Sequence, residues 1–135
     1  MNLKKHTDSN GNYYELNGIK NSLTAIFIHG VGLDHKMWAP QINYFKNHSI
    51  ITYDLLGHGK TPFDKEEIKM KDYVDQLLFL IEFLNVDKFH LVGFSIGSLI
   101  ALNFAANFQK KLNSLTLIAT TYKRTEKQRQ EVILS

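Results

Sequence analysis

Apolar residues along this chain fall into two patterns, short unbroken runs and longer stripes that recur at three- and four-residue steps. Thr24–Ile28 is an unbroken run that ends at His29-Gly30. It reads as a strand buried on both faces, as strands of parallel sheets are. Ser49–Tyr53, Phe89–Gly93 and Leu115–Ala119 read as further strands, and Tyr13–Leu16 as a short one between the turn dipeptides Asn10-Gly11 and Asn17-Gly18. The clearest helix carries Met70, Tyr73, Val74, Leu77, Ile81 and Leu84 on one face. A helix is also expected over Lys36–Lys46, with Met37, Trp38, Ile42 and Phe45 inward and Pro40 in its first turn. Another runs from Ile96 to about Phe108, Asp54–Asp64 is a glycine-containing loop, and the charged stretch from Tyr122 begins a surface helix. A hairpin followed by alternating strands and helices predicts an α/β fold with a mainly parallel sheet of about six strands flanked by helices.

Composition narrows the functional classes. With 135 residues, 44% hydrophobic, 21% charged and 16 aromatic side chains (nine Phe, six Tyr, one Trp), the chain can bury a core as a single domain. The absence of cysteine removes disulfides, thiolate metal sites and a cysteine nucleophile. Lys123, Arg124, Lys127 and Arg129 are interrupted by Glu126 and Glu131, so they form a solvated face and not a nucleic-acid site. The polar N-terminal residues do not form a signal peptide, and no apolar run reaches the roughly 18 residues of a membrane span. The expectation is a cytoplasmic protein with neither membrane nor nucleic-acid partner.

Ligands of such sheets bind beyond the carboxyl ends of the strands, and three polar segments lie there. Gly93-Phe94-Ser95-Ile96-Gly97 is a G-x-S-x-G sequence between a strand and a helix, the context this motif needs to display a nucleophile. Gly93 and Gly97 let strand and helix approach. Attack by the Ser95 hydroxyl on a carbonyl requires hydrogen-bond donors where negative charge develops. One is the Ile96 amide. Another can come from the turn His29-Gly30-Val31-Gly32, with the Val31 amide foremost, while His29 fixes that loop by side-chain hydrogen bonds. The third segment is Asp54-Leu55-Leu56-Gly57-His58-Gly59-Lys60-Thr61. Its Gly59-Lys60-Thr61 is not the end of a phosphate loop, because position 54 is Asp and Pro62 interrupts the following helix. Gly30 and Gly32 do not make a dinucleotide fingerprint either, since position 35 is His.

From about Ser22 to Thr121 these segments resemble the α/β-hydrolase family. His29–Gly32 is similar to its oxyanion loop, Asp54–Thr61 to its D-x-x-G-x-G-x-S loop with Thr61 for Ser, and Gly93–Gly97 to its nucleophile elbow. Gly32–Trp38 is similar to the lactonase, esterase and non-haem haloperoxidase branch. The resemblance implies that Ser95 is the nucleophile and that the Val31 and Ile96 amides form the oxyanion hole. His29, Gly30, Gly32, Asp54, Gly93 and Gly97 would then support the motifs. The substrate is a small acyl compound, an ester, thioester or lactone, and no cofactor or metal is needed.

The family places its acid and base after the nucleophile, in the order Ser, Asp or Glu, His. Here all six histidines and every aspartate precede Ser95. The expectation is an N-terminal portion of the fold, about six strands of eight, inactive alone, with residues 122–135 starting a cap or surface helix. The last strand would then be an open edge prone to self-association. The alternative is a hydrolase scaffold kept as a non-catalytic binding module.

Overall fold

The strand-forming runs assemble into one sheet in a computed structural model that describes residues 5–18 and 23–119. β1 (Lys5–Thr7) and β2 (Tyr13–Asn17) form an antiparallel hairpin. β3 (Thr24–Ile28), β4 (Ser49–Tyr53), β5 (Phe89–Phe94) and β6 (Leu112–Ile118) are parallel to one another. Their spatial order is β1-β2-β4-β3-β5-β6, with β2 antiparallel to β4. This is the α/β architecture expected of the sequence, with β3 at its middle. The charged stretch from Tyr122 lies outside the described residues.

Helices cover the sheet unevenly. α2 (Met70–Phe83) and α3 (Ile96–Phe108) lie on one face. There Ile26, Ile28, Tyr53, Leu77, Leu91 and Phe104 form a core with no solvent contact. On the other face Phe27, Trp38 and Ile50 make a smaller cluster under α1 (Ala39–Tyr44). Beside it an apolar groove of about 450 Å³ runs along the sheet, lined by Phe27, Trp38, Ile50, Val92, Thr116 and Ile118. Among the described residues β6 has one bonded neighbour, β5, and Ile118 is 41% exposed. No helix of the described residues is long and apolar enough to cross a membrane.

Two elements differ from the sequence expectation. The helix over Lys36–Lys46 is instead a 3-10 turn, His35–Trp38, followed by the six-residue α1. Pro40, at the second position of α1, has no N–H to give, and the chain upstream tightens into the 3-10 turn. Trp38 is buried as expected, but Phe45 is 40% exposed and not part of an inner stripe. β6 begins at Leu112, three residues earlier than its apolar run, because Asn113 and Ser114 are exposed at the sheet edge. It stops at Ile118, and Ala119 turns away with φ +52°.

Candidate active site

One residue separates β5 from α3. Ser95 makes the whole strand-to-helix turn, with φ +57° and ψ −120°. A side chain there costs on the order of 1–3 kcal/mol, so its surroundings must hold it. Its N–H donates to the Ile118 carbonyl at 3.0 Å. Its own carbonyl accepts the Ser98 N–H at 2.9 Å and the buried Ser98 hydroxyl at 2.5 Å. Close packing completes the restraint. A methyl at Gly93 would overlap the Gly97 carbonyl and lie 2.7 Å from the Ser98 nitrogen. One at Gly97 would overlap the Ile28 carbonyl and lie 2.7 Å from that of His29. α3 therefore rests directly on the backbones of β3 and β5. The Ser95 Oγ is bonded to nothing among the described residues.

The turn after β3 lies against this elbow, since β3 and β5 are adjacent and Ile28 pairs with Gly93. Gly30–Leu33 is a tight turn closed by Leu33 N–H on the Gly30 carbonyl at 3.2 Å, and Gly32 has the φ of +73° such a turn needs. A methyl on Gly30 would lie 3.4 Å from the Ser95 Cβ and 2.9 Å from the Phe94 ring. The N–H groups of Val31 and Ile96 have no acceptor among the described residues. Ile96 also opens a 13-residue helix, whose N-terminus favours negative charge. Ser95, Val31 and Ile96 thus gather at one end of two adjacent strands, with two unpaired amides beside an unpaired hydroxyl.

His29 and Asp54 serve the loops around the elbow. His29 is fully buried, and its Nε2 accepts the Leu55 N–H at 2.9 Å. Its Nδ1 therefore carries the proton and donates to the Gly30 carbonyl at 2.8 Å. Burial lowers its pKa, outweighing the Gly30 bond, which pulls the other way. With both nitrogens engaged, His29 has none free for a serine proton. Asp54 is also fully buried. It accepts the His35 N–H at 2.8 Å, the His35 Nδ1 at 2.7 Å and the Lys60 N–H at 2.9 Å. Burial alone would raise the Asp54 pKa, but these donors outweigh it and hold the carboxyl below its ordinary range. Thr61 accepts the Tyr13 N–H through its hydroxyl at 3.0 Å, bolting this loop to β2. Ligand atoms of Asp34, His35 and Asp54 lie within 4.8 Å of one another, but Asp54 already has its donors.

These two groups contribute to the acid response of the fold. A lowered histidine pKa means that the unfolded chain binds its proton first as pH falls. His29 therefore contributes fully above its ordinary value of 6.5, and the contribution fades below it. The contribution of Asp54 is present above 3.8 and is lost as pH falls through its lower folded value. Urea midpoints should drop in two stages on acidification. His29→Gln, which keeps an acceptor for Leu55, should flatten the upper stage. An unchanged slope between about pH 5 and 7 would contradict this role.

Gln76 carries a role that the helix stripe concealed. Buried on α2, it donates to the Asn12 side chain at 3.0 Å and the Asp54 carbonyl at 2.9 Å. It also accepts the Leu56 N–H at 3.1 Å, tying the Asp54 loop to the helix. A polar residue between Tyr73 and Leu80 on an apolar face was the available signal. No histidine among the described residues bonds the Ser95 Oγ.

Comparison with known proteins agrees with this fold. A family profile described as "alpha/beta hydrolase fold" matches residues 26–132. The chain is 34% identical over 109 residues to an (E)-2-((N-methylformamido)methylene)succinate hydrolase of Acinetobacter baylyi, covering 80% of this chain and 41% of that protein. It is 34% identical over 89 residues to 3-oxoadipate enol-lactonase 1 of the same organism, covering 65% and 33%. The crystal structure of an enol-lactonase from Burkholderia xenovorans superposes with a TM-score of 0.78 at 26% identity, covering 82% of this chain and 45% of that one. The chain thus spans less than half the length of these relatives. Its matched residues, its sheet order and its strand-to-helix turn at Ser95 make it a member of the α/β-hydrolase fold family.

Proposed function

We propose that this chain supplies the nucleophile and the oxyanion-binding half of a serine hydrolase acting on an ester, thioester or lactone. The observation that carries the reading is Ser95 alone in the turn at φ +57°, hydroxyl unpaired, beside the unpaired amides of Val31 and Ile96. Ser95 Oγ attacks the acyl carbon and passes its proton to a histidine outside the described residues. The carbonyl oxygen becomes an oxyanion, which accepts hydrogen bonds from the two amides already in place. Collapse of this intermediate expels an alcohol or thiol, which takes the proton from the histidine. For a lactone the expelled group stays attached to the acyl chain. Water, deprotonated by the same histidine, then adds to the acyl-enzyme, the bond from the acyl carbon to Ser95 Oγ breaks, Oγ takes the proton back from the histidine, and the acid is released. The enol-lactonase relatives favour the lactone among these substrates.

The test is to translate the gene past codon 135 and assay both products on p-nitrophenyl acetate. The longer product, with an Asp and a His beyond Ser95, should turn over. The 135-residue chain should stay at background, since losing a triad base removes roughly four or more orders of magnitude. Turnover by the short chain that vanishes in Ser95→Ala would place the base within the residues given. A stop codon after Ser135, with no turnover, would favour a scaffold that binds without catalysis.

A further inference from the structure

From within, the loop carrying the Val31 amide is held by one main-chain bond, Leu33 N–H on the Gly30 carbonyl, and by no buried side chain. Val31 is 66% exposed and Leu33 43%, and Gly30 and Gly32 have no side chains. Neither exposed side chain anchors the turn in the core. The placement of the Val31 amide is therefore set by the two ends of the loop. The first end is fixed where His29 Nδ1 meets the Gly30 carbonyl. The second end is His35.

His35 is held on three sides. Its N–H and its Nδ1 both reach Asp54 Oδ1, at 2.8 and 2.7 Å. Its Nε2 lies 3.2 Å from Glu15 Oε2, which also accepts the Tyr13 hydroxyl at 2.6 Å. The Tyr13 ring lies 5.0 Å from the imidazole, and the Lys60 ammonium sits 4.8 Å from the centre of the Tyr13 ring. The His35 side chain is 7% exposed, Asp54 fully enclosed, and Glu15 19% exposed. The clamp joins β2, the end of β4 and the oxyanion turn, three places far apart in the sequence. A more modest cause would suffice to bury a histidine. A shared carboxylate oxygen for main chain and ring, with a second carboxylate on the far nitrogen, fixes both position and orientation.

We propose that His35, clamped between Asp54 and Glu15, is a positioning residue that sets the Val31 amide at the oxyanion site. The proposal rests on the serine-hydrolase reading above. An amide that strengthens its bond only as charge develops acts on kcat more than on KM. Misplacement by an ångström is worth up to about 100-fold in rate.

The experiment is a kinetic comparison in the active, complete gene product. His35→Leu should lower kcat about 10- to 100-fold with KM within about twofold. His35→Asn, whose side-chain amide can replace the Nδ1 donor to Asp54, should recover most of that loss. Glu15→Leu, which frees only the outer nitrogen, should show a smaller fall in kcat of the same kind. An unchanged kcat in His35→Leu overturns the proposal, as does an Asn variant as impaired as the Leu variant. If His35→Leu does not fold, Glu15→Leu decides, and an unaltered kcat there overturns it. Turnover that survives Ser95→Ala would instead remove the hydrolase reading itself.

Discussion

Ser95→Ala in the complete gene product should lower kcat by roughly four to six orders of magnitude and leave the fold intact. On the proposed mechanism the loss is large because the covalent route ends with the hydroxyl, and the remaining donors can only polarise the acyl carbonyl. The fold survives because the Ser95 Oγ makes no hydrogen bond among the described residues, while the bonds that hold the turn come from its backbone. Backbone conformation supplies a second, independent reading of the same site. At φ +57° and ψ −120° any side chain is strained, and glycine alone is not. Ser95→Gly should therefore be as inactive as Ser95→Ala but more stable than it by about 1–2 kcal/mol in urea denaturation. Equal stability of the two variants would mean that the turn is not strained in solution. Residual turnover within tenfold of the parent would remove Ser95 as the nucleophile.

Gly97→Val should cost roughly 3–5 kcal/mol, a large share of a total stability on the order of 5–15 kcal/mol. The first atom beyond the Gly97 Cα would overlap the Ile28 carbonyl, and β3 is the middle of the sheet and cannot recede. α3 must move instead, and Ile96 moves with it. Gly97→Ala should show a smaller loss in the same direction. In a variant that still folds, turnover should fall as well as stability. A Gly97→Ala variant within about 0.5 kcal/mol of the parent would show that α3 has room the packing denies.

The sheet and the elbow were legible in the sequence because each is coded locally. Ile26, Phe27 and Ile28 declare a buried strand without reference to any partner. Gly93-x-Ser95-x-Gly97 declares a turn within a span of five residues. Even the small residues at 93 and 97 had a stated purpose, and the carbonyls of Ile28 and Gly97 supply its physical form. What stayed hidden depends on pairing across the sequence. His35 read as a failed glycine position, since nothing local says that β2 lies beside β4 and brings Glu15 and Asp54 to its two nitrogens. Gln76 was masked by the apolar stripe around it. The break at Trp38 escaped because a 3-10 turn and an α-helix share nearly the same spacing of apolar residues over one turn.

The bond from the Ser95 N–H to the Ile118 carbonyl ties the elbow to the last residue of β6, an edge strand among the described residues. Edge strands fray first, so the turn at Ser95 is moored to a strand end that opens readily. Every opening of β6 at Ile118 releases the Ser95 amide to solvent. Exchange of that single proton would time the fraying of the sheet edge. Whatever pairs with β6 and quiets it would, by the same bond, stiffen the turn that presents the hydroxyl.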